Sequence, residues 1–231
     1  DDTACLQALV NGSEKVVLPR GRTFHITKAI IVRGPKALNG NGATISVSSH
    51  IPAVAVSGAG AEIYGLTLIG MNGATDGFFL DRGASNVTIR DNRILGGWRE
   101  GILFGRPGQQ SLKFLRNTIR PLEGTVLSYG ILGNPYMQGR EGPPPRDIVI
   151  RGNHITDVSS DAIELNSPKG TTISDVDIVK NKLSAPHHVS PAAGFCIGMA
   201  GAKRVLVFEN MISDFRWQAV HVEDDSSQIV I

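Results

Sequence analysis

The residues of this sequence best suited to acid–base chemistry lie in two short segments, 161–166 and 218–224. Glycoside cleavage needs one carboxylic acid to protonate the leaving oxygen and one carboxylate to activate water or attack carbon. The alternative is that these acids are solvated surface groups, as most Asp and Glu side chains are. The catalytic candidates are Glu164, Asp161, Glu223, His221 and Asp224.

A recurring tetrapeptide indicates the elements that must position these residues. DNRI (91–94), RNTI (116–119), GNHI (152–155), KNKL (180–183) and ENMI (209–212) each place an asparagine before a short predicted strand. Recurrence at this period is typical of a solenoid. Asparagine also suits a left-handed corner between two short strands. We interpret the column as a structural ladder of stacked amides, formed by Asn92, Asn117, Asn153, Asn181 and Asn210.

Six further segments can be stacked in a second column, at 76–81, 100–105, 129–134, 161–166, 193–198 and 218–223. Because side chains alternate along a strand, the third and fifth places are predicted to face inward and the second, fourth and sixth outward. The second place is always Gly or Ala, which would leave room for a turn or a ligand. A second sheet is predicted through 87–89, 112–114, 148–150, 176–178 and 205–207.

The fourth place of this column changes from apolar to polar along the chain. Its residues are Phe79, Leu103, Leu132, Glu164, Cys196 and His221. An exposed apolar row usually needs a cover. The insert 133–146, which contains Tyr136, could supply it, and so could a neighbouring subunit. Otherwise the row would form an apolar sugar subsite.

The strand spacing sets the expected distances between the acids. Adjacent strands lie ~4.8 Å apart, so Glu164 and His221, two coils apart, should have backbones about 9.6 Å apart. Glu164 and Glu223 are on the order of 12 Å apart by the same spacing. Leaning side chains could bring those two carboxylates into the ~6.5–9.5 Å window of an inverting glycosidase. Asp161 would share their face only if the turn before its strand bends it there.

Several residues beside this row could hold a sugar. Trp98 and Trp217 occupy equivalent turns, where each indole could stack on a sugar ring or merely cover turn backbone. Arg99, Arg106 and Arg140 could hold carboxylate or sulfate groups of an acidic polysaccharide. The substrate-binding candidates are Trp98, Trp217, Asn134, Asn166, Tyr136 and Arg99.

Other partner classes have weak support in the sequence. Basic and acidic residues nearly balance, at 23 and 21, so no nucleic-acid or membrane partner is predicted. His187 and His188 are adjacent, and adjacent strand residues point apart, so a rim loop is expected there rather than a metal site. We predict no metal ion and no cofactor. Cys5 and Cys196 do not make a disulfide framework.

The first 26 residues predict how the solenoid begins. DDTACLQALV favours a short capping helix within 1–12, and KVVLPRGRTFHIT favours two strands around a Pro-Gly turn. A DDTxxxQ helix followed by such a strand pair resembles the opening of the pectate-lyase-like right-handed parallel β-helix superfamily. That resemblance implies an all-β solenoid and a polysaccharide partner, because many phage tailspikes and polysaccharide-degrading enzymes begin in this way.

The resemblance transfers no catalytic residue. SSDAIELN resembles the NTD segment of polygalacturonases only faintly, and their Asp pair and GHG are absent. The DPHD set of mannuronan epimerases and the calcium-binding Asp cluster of pectate lyases have no counterpart here either. The sequence is closest in type to tailspikes and depolymerases, whose acids follow no portable motif. We therefore predict a polysaccharide hydrolase or lyase, with a non-catalytic binding or tail-fibre module as the alternative and a sugar epimerase as a third hypothesis.

The two ends bear on assembly. Residues 1–231 are predicted to form one β-helix domain, and the sequence closes on the apolar strand SSQIVI without a capping segment. An open solenoid end invites pairing. The natural chain is therefore expected to continue or to be covered by another subunit, as in a homotrimer. The expected location is extracellular, periplasmic or on a virion.

Overall fold

A computed structural model describes residues 1–134, 142–167, 171–187 and 194–231. The single helix of these ranges is α1, Thr3–Asn11. The strands of the first half are β1 Lys15–Val17, β2 Thr23–Ile26, β3 Ile30–Arg33, β4 Lys36–Asn39, β5 Thr44–Val47, β6 Val54–Ser57, β7 Ala61–Tyr64, β8 Thr67–Leu80, β9 Ser85–Arg90, β10 Arg93–Phe104 and β11 Gln110–Leu115. Those of the second half are β12 Thr118–Arg120, β13 Tyr129–Gly133, β14 Arg146–Arg151, β15 His154–Ile155, β16 Ile163–Asn166, β17 Ile173–Val179, β18 Lys182–Ala185, β19 Ile197–Ala200, β20 Ala202–Phe208, β21 Met211–Phe215, β22 Val220–Glu223 and β23 Ser227–Val230.

The strands stack in parallel into three faces. Face A has the order β1-β4-β7-β9-β11-β14-β17-β20-β23. The long strands β8 and β10 bend across a corner, so that the first half of β8 pairs with β5 and its second half with β6. Face B is β2, β5, the first halves of β8 and β10, then β12, β15, β18 and β21. The site face is β3, β6, the second halves of β8 and β10, then β13, β16, β19 and β22. The predicted right-handed parallel β-helix is confirmed.

Helix α1 closes one end of the solenoid, as predicted. Leu6 and Val10 are buried against the first coil. The Gln7 side chain donates to the Ile31 carbonyl at 2.9 Å and accepts from the Ile31 amide at 2.8 Å. These two bonds satisfy backbone groups at the edge of β3, which has no earlier strand to pair with on this side. Within the ranges given above, no helix is long and apolar enough to cross a membrane.

The predicted asparagine ladder is present. Each side-chain amide donates to the carboxamide oxygen one coil further on, at 3.2, 3.1, 3.0 and 2.9 Å, for Asn92 to Asn117, Asn117 to Asn153, Asn153 to Asn181 and Asn181 to Asn210. The left-handed conformation belongs to the preceding residue and not to the asparagine, with φ of 55° at Asp91 and 58° at Lys180. The ladder fixes the register between face A and face B in every coil from 92 onward.

Two predictions about the stacked column were wrong. The small second-place residues face inward, since a Cβ on Gly101 would lie 2.5 Å from the Gly130 oxygen and 2.6 Å from Ile119 Cγ2. The bend between face B and the site face brings both second and third places to the interior, so strict alternation fails there. The predicted alignment of residues 193–198 in the column was also wrong by two residues. In the structure Ile163 pairs with Ile197 and Glu164 with Gly198.

Candidate functional site

Asp161 and Glu164 share one side of the site face. Asp161 precedes β16 at the corner, and the bend turns its carboxylate toward the outward side chain of Glu164. A Cβ built on Gly198, in the next coil, would lie 3.5 Å from Asp161 Oδ2 and 3.6 Å from Glu164 Cγ. The chain therefore bends Asp161 onto the face that carries Glu164, and both carboxyl groups border the space above Gly198.

The Asp161 carboxylate is held by backbone amides. Oδ1 accepts hydrogen bonds from the Gly194 amide at 3.0 Å and from the Phe195 amide at 2.8 Å. Burial nevertheless raises the pKa of Asp161 to about 6, with the two amide bonds opposing the change. Since Oδ1 is occupied by these bonds, Oδ2 is the oxygen that faces the space above Gly198.

Glu164 is partly buried, and one hydrogen bond fixes its side chain. Oε1 accepts from Asn166 Nδ2 at 2.8 Å. Burial, followed by the charge of Asp161, raises the pKa of Glu164 to about 7. The two carboxyl groups therefore ionise at different pH values, and the group with the higher pKa is the more exposed of the two.

His221 borders the site two coils beyond Glu164, as predicted, because Glu164 pairs with Gly198 and Gly198 with His221. Its ring stacks on Phe195 with centroids 4.3 Å apart. Nε2 lies 3.1 Å from Glu223 Oε2, and Nδ1 lies 2.6 Å from an oxygen of Gln218. His221 and Glu223 thus form an oriented pair. Gly198 leaves the coil between this pair and Glu164 without a side chain.

The two tryptophans do not occupy equivalent positions. Trp98 is 1% exposed and donates from Nε1 to the Leu95 carbonyl at 2.8 Å. Its indole packs flat on Gly70, where a Cβ would lie 2.4 Å from Trp98 Cε2. The prediction of a sugar platform at Trp98 is therefore wrong. Trp217 is 52% exposed and lies beside Gly194, whose amide binds Asp161, so it stays a sugar-stacking candidate.

The other candidates are scattered. Asn166 is the last residue of β16, and Asn134 directly follows β13 in the preceding coil. Asp224 is exposed with φ of 46°, and within the described ranges no hydrogen bond or ion pair joins it to the acids above. Tyr136, Arg140 and His188 lie outside the described residues. Arg99 contacts Glu100, with Nε 2.9 and 2.7 Å from its two carboxyl oxygens.

The apolar row at the early coils is largely covered within the chain. Leu103 is 2% exposed and Leu132 is 3% exposed without any second subunit. The Arg106 guanidinium lies over the Phe79 ring, 5.5 Å from its centroid. Cys196, expected to face outward, is fully buried because the corrected register moves it to the second place.

Sequence reasoning missed three residues of the first place. Tyr129 lies one coil before Asp161, and burial, with the charge of Glu164 next, raises the pKa of its phenol. Glu100 lies one coil before Tyr129 and is 2% exposed, and Asp76 lies two coils before Tyr129 and is 4% exposed. The signal was the column itself, whose first place holds Asp76, Glu100, Tyr129 and Asp161 on successive coils.

Solved structures of similar fold share little sequence with this chain. ORF18 of Geobacillus virus E2 matches with a TM-score of 0.63 and 13% identity over 92% of this chain and 49% of that chain. A tailspike protein mutant of E. coli bacteriophage HK620, in complex with a pentasaccharide, gives 0.59 and 14% over 97% and 56%. An endo-xylogalacturonan hydrolase from Aspergillus tubingensis gives 0.57 and 10% over 98% and 77%.

No protein-family model and no curated protein matches the sequence. The chain spans about half the length of the first two of these structures, with 49% and 56% of them covered. At these identities the likeness concerns the fold. Together with the parallel three-faced coil and its N-terminal helix, it shows that the chain has a parallel β-helix fold.

Proposed function

We propose that this protein binds a polysaccharide along the site face and cleaves it by hydrolysis between Asp161 and Glu164. The observation that carries the proposal is the pair of carboxyl groups around the space above Gly198, which ionise at about 6 and about 7. Two titratable groups whose environments separate their pKa values are the usual basis of an acid and base assignment.

The roles follow from protonation. Between pH about 6 and about 7, Asp161 is ionised while Glu164 still holds its proton. Glu164 would protonate the leaving glycosidic oxygen, and Asp161, through Oδ2, would activate water or attack the anomeric carbon. Activity is expected to peak in this interval, falling at lower pH as Asp161 gains a proton and at higher pH as Glu164 loses its own.

The neighbouring residues suit substrate binding. Asn166 fixes the Glu164 carboxyl, the His221–Glu223 pair borders the far side of the gap, and Trp217 offers an exposed indole for sugar stacking. Solved tailspikes of similar fold are in complex with a pentasaccharide and with a hexasaccharide. We infer an extracellular, periplasmic or virion-associated location, where such polysaccharides occur. The homotrimer stays a prediction, which light scattering in solution would test.

The test is a screen of a polysaccharide panel for new reducing ends and for the ultraviolet absorbance of unsaturated products. Reducing ends without unsaturation are expected from a hydrolase, and unsaturation would assign a lyase instead. Glu164→Gln and Asp161→Asn should each lower the rate by about 10²–10⁴-fold. Arg93→Gln, at an exposed position on face B, is the control. Unchanged rates in both acid variants would refute the proposal.

A second candidate is a binding module without catalysis. The two backbone amides on Asp161 Oδ1 favour it, because a carboxylate that only anchors the 194–195 backbone would make the same bonds. Affinity electrophoresis separates the two functions: a retarded band with no reducing ends would indicate binding alone.

A further inference from the structure

A second pair of acids lies under Arg99, away from the proposed catalytic pair. Glu100 and Asp76 pair on neighbouring coils and are 2% and 4% exposed. Asp76 Oδ1 is buried, and no hydrogen bond reaches it from the described residues. Burial raises the pKa of both carboxyl groups, that of Glu100 to about 8. These groups are too enclosed to touch a polysaccharide, so their effect on a ligand must pass through Arg99.

Arg99 is oriented by Glu100. Its Nε lies 2.9 and 2.7 Å from the two carboxyl oxygens, while 48% of the Arg99 side chain is exposed. An arginine has five N–H donors, so this contact leaves the four on the terminal nitrogens for another partner. A guanidinium held in place from below is pre-organised for a planar, bidentate acceptor.

Arg99 borders a pocket of 330 Å³, whose lining also includes His50, Gly73, Thr75 and Ser128. That volume is at the lower end of the about 300–1,000 Å³ typical of small-molecule sites. The lining contains a guanidinium, an imidazole and the Ser128 hydroxyl but no carboxylate, while the Thr75 hydroxyl is buried. Gly73 lets the imidazole approach, since a Cβ there would lie 3.0 Å from His50 Cε1. The pocket therefore offers donors and a positive charge to an anionic ligand.

The pocket and the proposed catalytic pair lie along the same corner of the solenoid. Glu100 pairs with Tyr129 in the next coil. The backbone carbonyl of Ser128, at the pocket wall, accepts a hydrogen bond from the amide of Ser160, the residue directly before Asp161. The coil of Arg99 is thus two coils from that of Asp161, or about 9.6 Å at ~4.8 Å per coil. Each coil advances by roughly the length of one pyranose unit, so a chain cleaved at Asp161 would place a nearby sugar at Arg99.

We propose that the Arg99 pocket binds the carboxylate of an acidic sugar, so that the polysaccharide recognised by this protein carries uronic acid or other carboxylated residues. This inference rests on the proposed function for the polymer, but the pocket itself can be tested without catalysis. The bond pattern is a fork of two N–H donors from Arg99 to the two carboxylate oxygens, with the Ser128 hydroxyl at the pocket wall available to a ring hydroxyl.

The test is saturation-transfer NMR with sodium glucuronate and with glucose as probes. Glucuronate should bind and glucose should bind at least about tenfold more weakly, as expected for loss of a charged hydrogen-bonded pair. Arg99→Gln should weaken glucuronate binding by about tenfold or more on the same grounds. Because Arg99→Gln leaves Glu100 without its cation, Arg99→Lys provides a variant that keeps the charge and loses only the fork.

Arg93→Gln, on the same strand but at an exposed position on face B, is the matched control and should bind as the wild type does. Equal binding of the two probes, or unchanged binding in both Arg99 variants, would overturn the inference. If the wild-type protein binds glucuronate in preference to glucose but cleaves no polysaccharide, the proposed hydrolysis fails while the carboxylate site stands.

Discussion

Replacing Glu164 by glutamine should stabilise the protein in a pH-dependent way. The folded state holds the Glu164 proton to a pKa of about 7, against an ordinary value of 4.5. A carboxyl group with a raised pKa binds its proton more tightly in the folded state than in the unfolded state. It therefore costs stability progressively as pH rises from about 4.5 to about 7, and this cost is full above that interval. Glutamine removes the cost and keeps an oxygen that can accept the Asn166 bond.

The magnitude follows from the difference between the two pKa values. At about 1.4 kcal/mol for each pKa unit, the change from 4.5 to about 7 corresponds to roughly 3 kcal/mol. Solvent reaches part of the side chain, so about 2–3 kcal/mol is expected. The free energy of unfolding of Glu164→Gln, minus that of the wild type, should be larger by this amount at pH 8 than at pH 4.

Equilibrium urea unfolding, followed by the fluorescence of the buried Trp98, measures this difference at each pH. Glu14→Gln, an exposed substitution before β1, controls for the loss of a carboxylate as such. A Glu164→Gln effect of equal size at pH 4 and pH 8 would refute the reasoning, because the side chain would then carry no folding-linked proton. This result would also remove the basis for assigning Glu164 as the acid.

Three further changes test the scaffold. Asn153→Ala should lower the free energy of unfolding, measured with urea, by on the order of 3 kcal/mol, because neighbouring amide and carbonyl groups lose their partners. A decrease below about 0.5 kcal/mol, which is typical of surface changes, would argue against a buried ladder. Gly101→Ala places a Cβ 2.5 Å from the Gly130 oxygen and should sharply lower the thermal midpoint, whereas an unchanged midpoint would mean that the corner relaxes freely. Trp98→Ala should cost about 3–5 kcal/mol, while Trp217→Ala should leave unfolding nearly unchanged and weaken polysaccharide binding; equal effects of the two on stability would contradict their different burial.

The contacts that recur in every coil were predictable from the sequence, because each coil places the same residue type at the same position. Asn117 and Asn153 make the same bonds to their neighbours, so one chemical need appears as a visible column. The third-place residues, such as Ile131 and Ile163, are likewise apolar for one shared reason, which is burial in the core. A solenoid therefore exposes its fold in its sequence more fully than a fold built from unique contacts.

The site was predictable only in part. The 193–198 displacement arose because a slip of two residues keeps every side chain on its own face, so Phe195 satisfies the apolar pattern as well as Ile197 does. The inward second place could not be deduced from alternation, which assumes a straight strand. Trp98 was misplaced for the same reason, because the bend in β10 that buries it is a three-dimensional property.

The empty coil at Gly198 has a consequence for how such a site can diversify. Side chains on the site face are separated by whole coils of about 4.8 Å, so spacing along the face can change only in discrete steps. The position of a carboxylate relative to the glycosidic bond therefore cannot change gradually. A carboxylate must be gained or lost at one coil, or a whole coil must be inserted. Gly198 holds one such step vacant between Glu164 and His221. Replacing Gly198 by a residue with a larger side chain would fill this gap and shorten the cleft by one coil, which is roughly the length of one sugar unit.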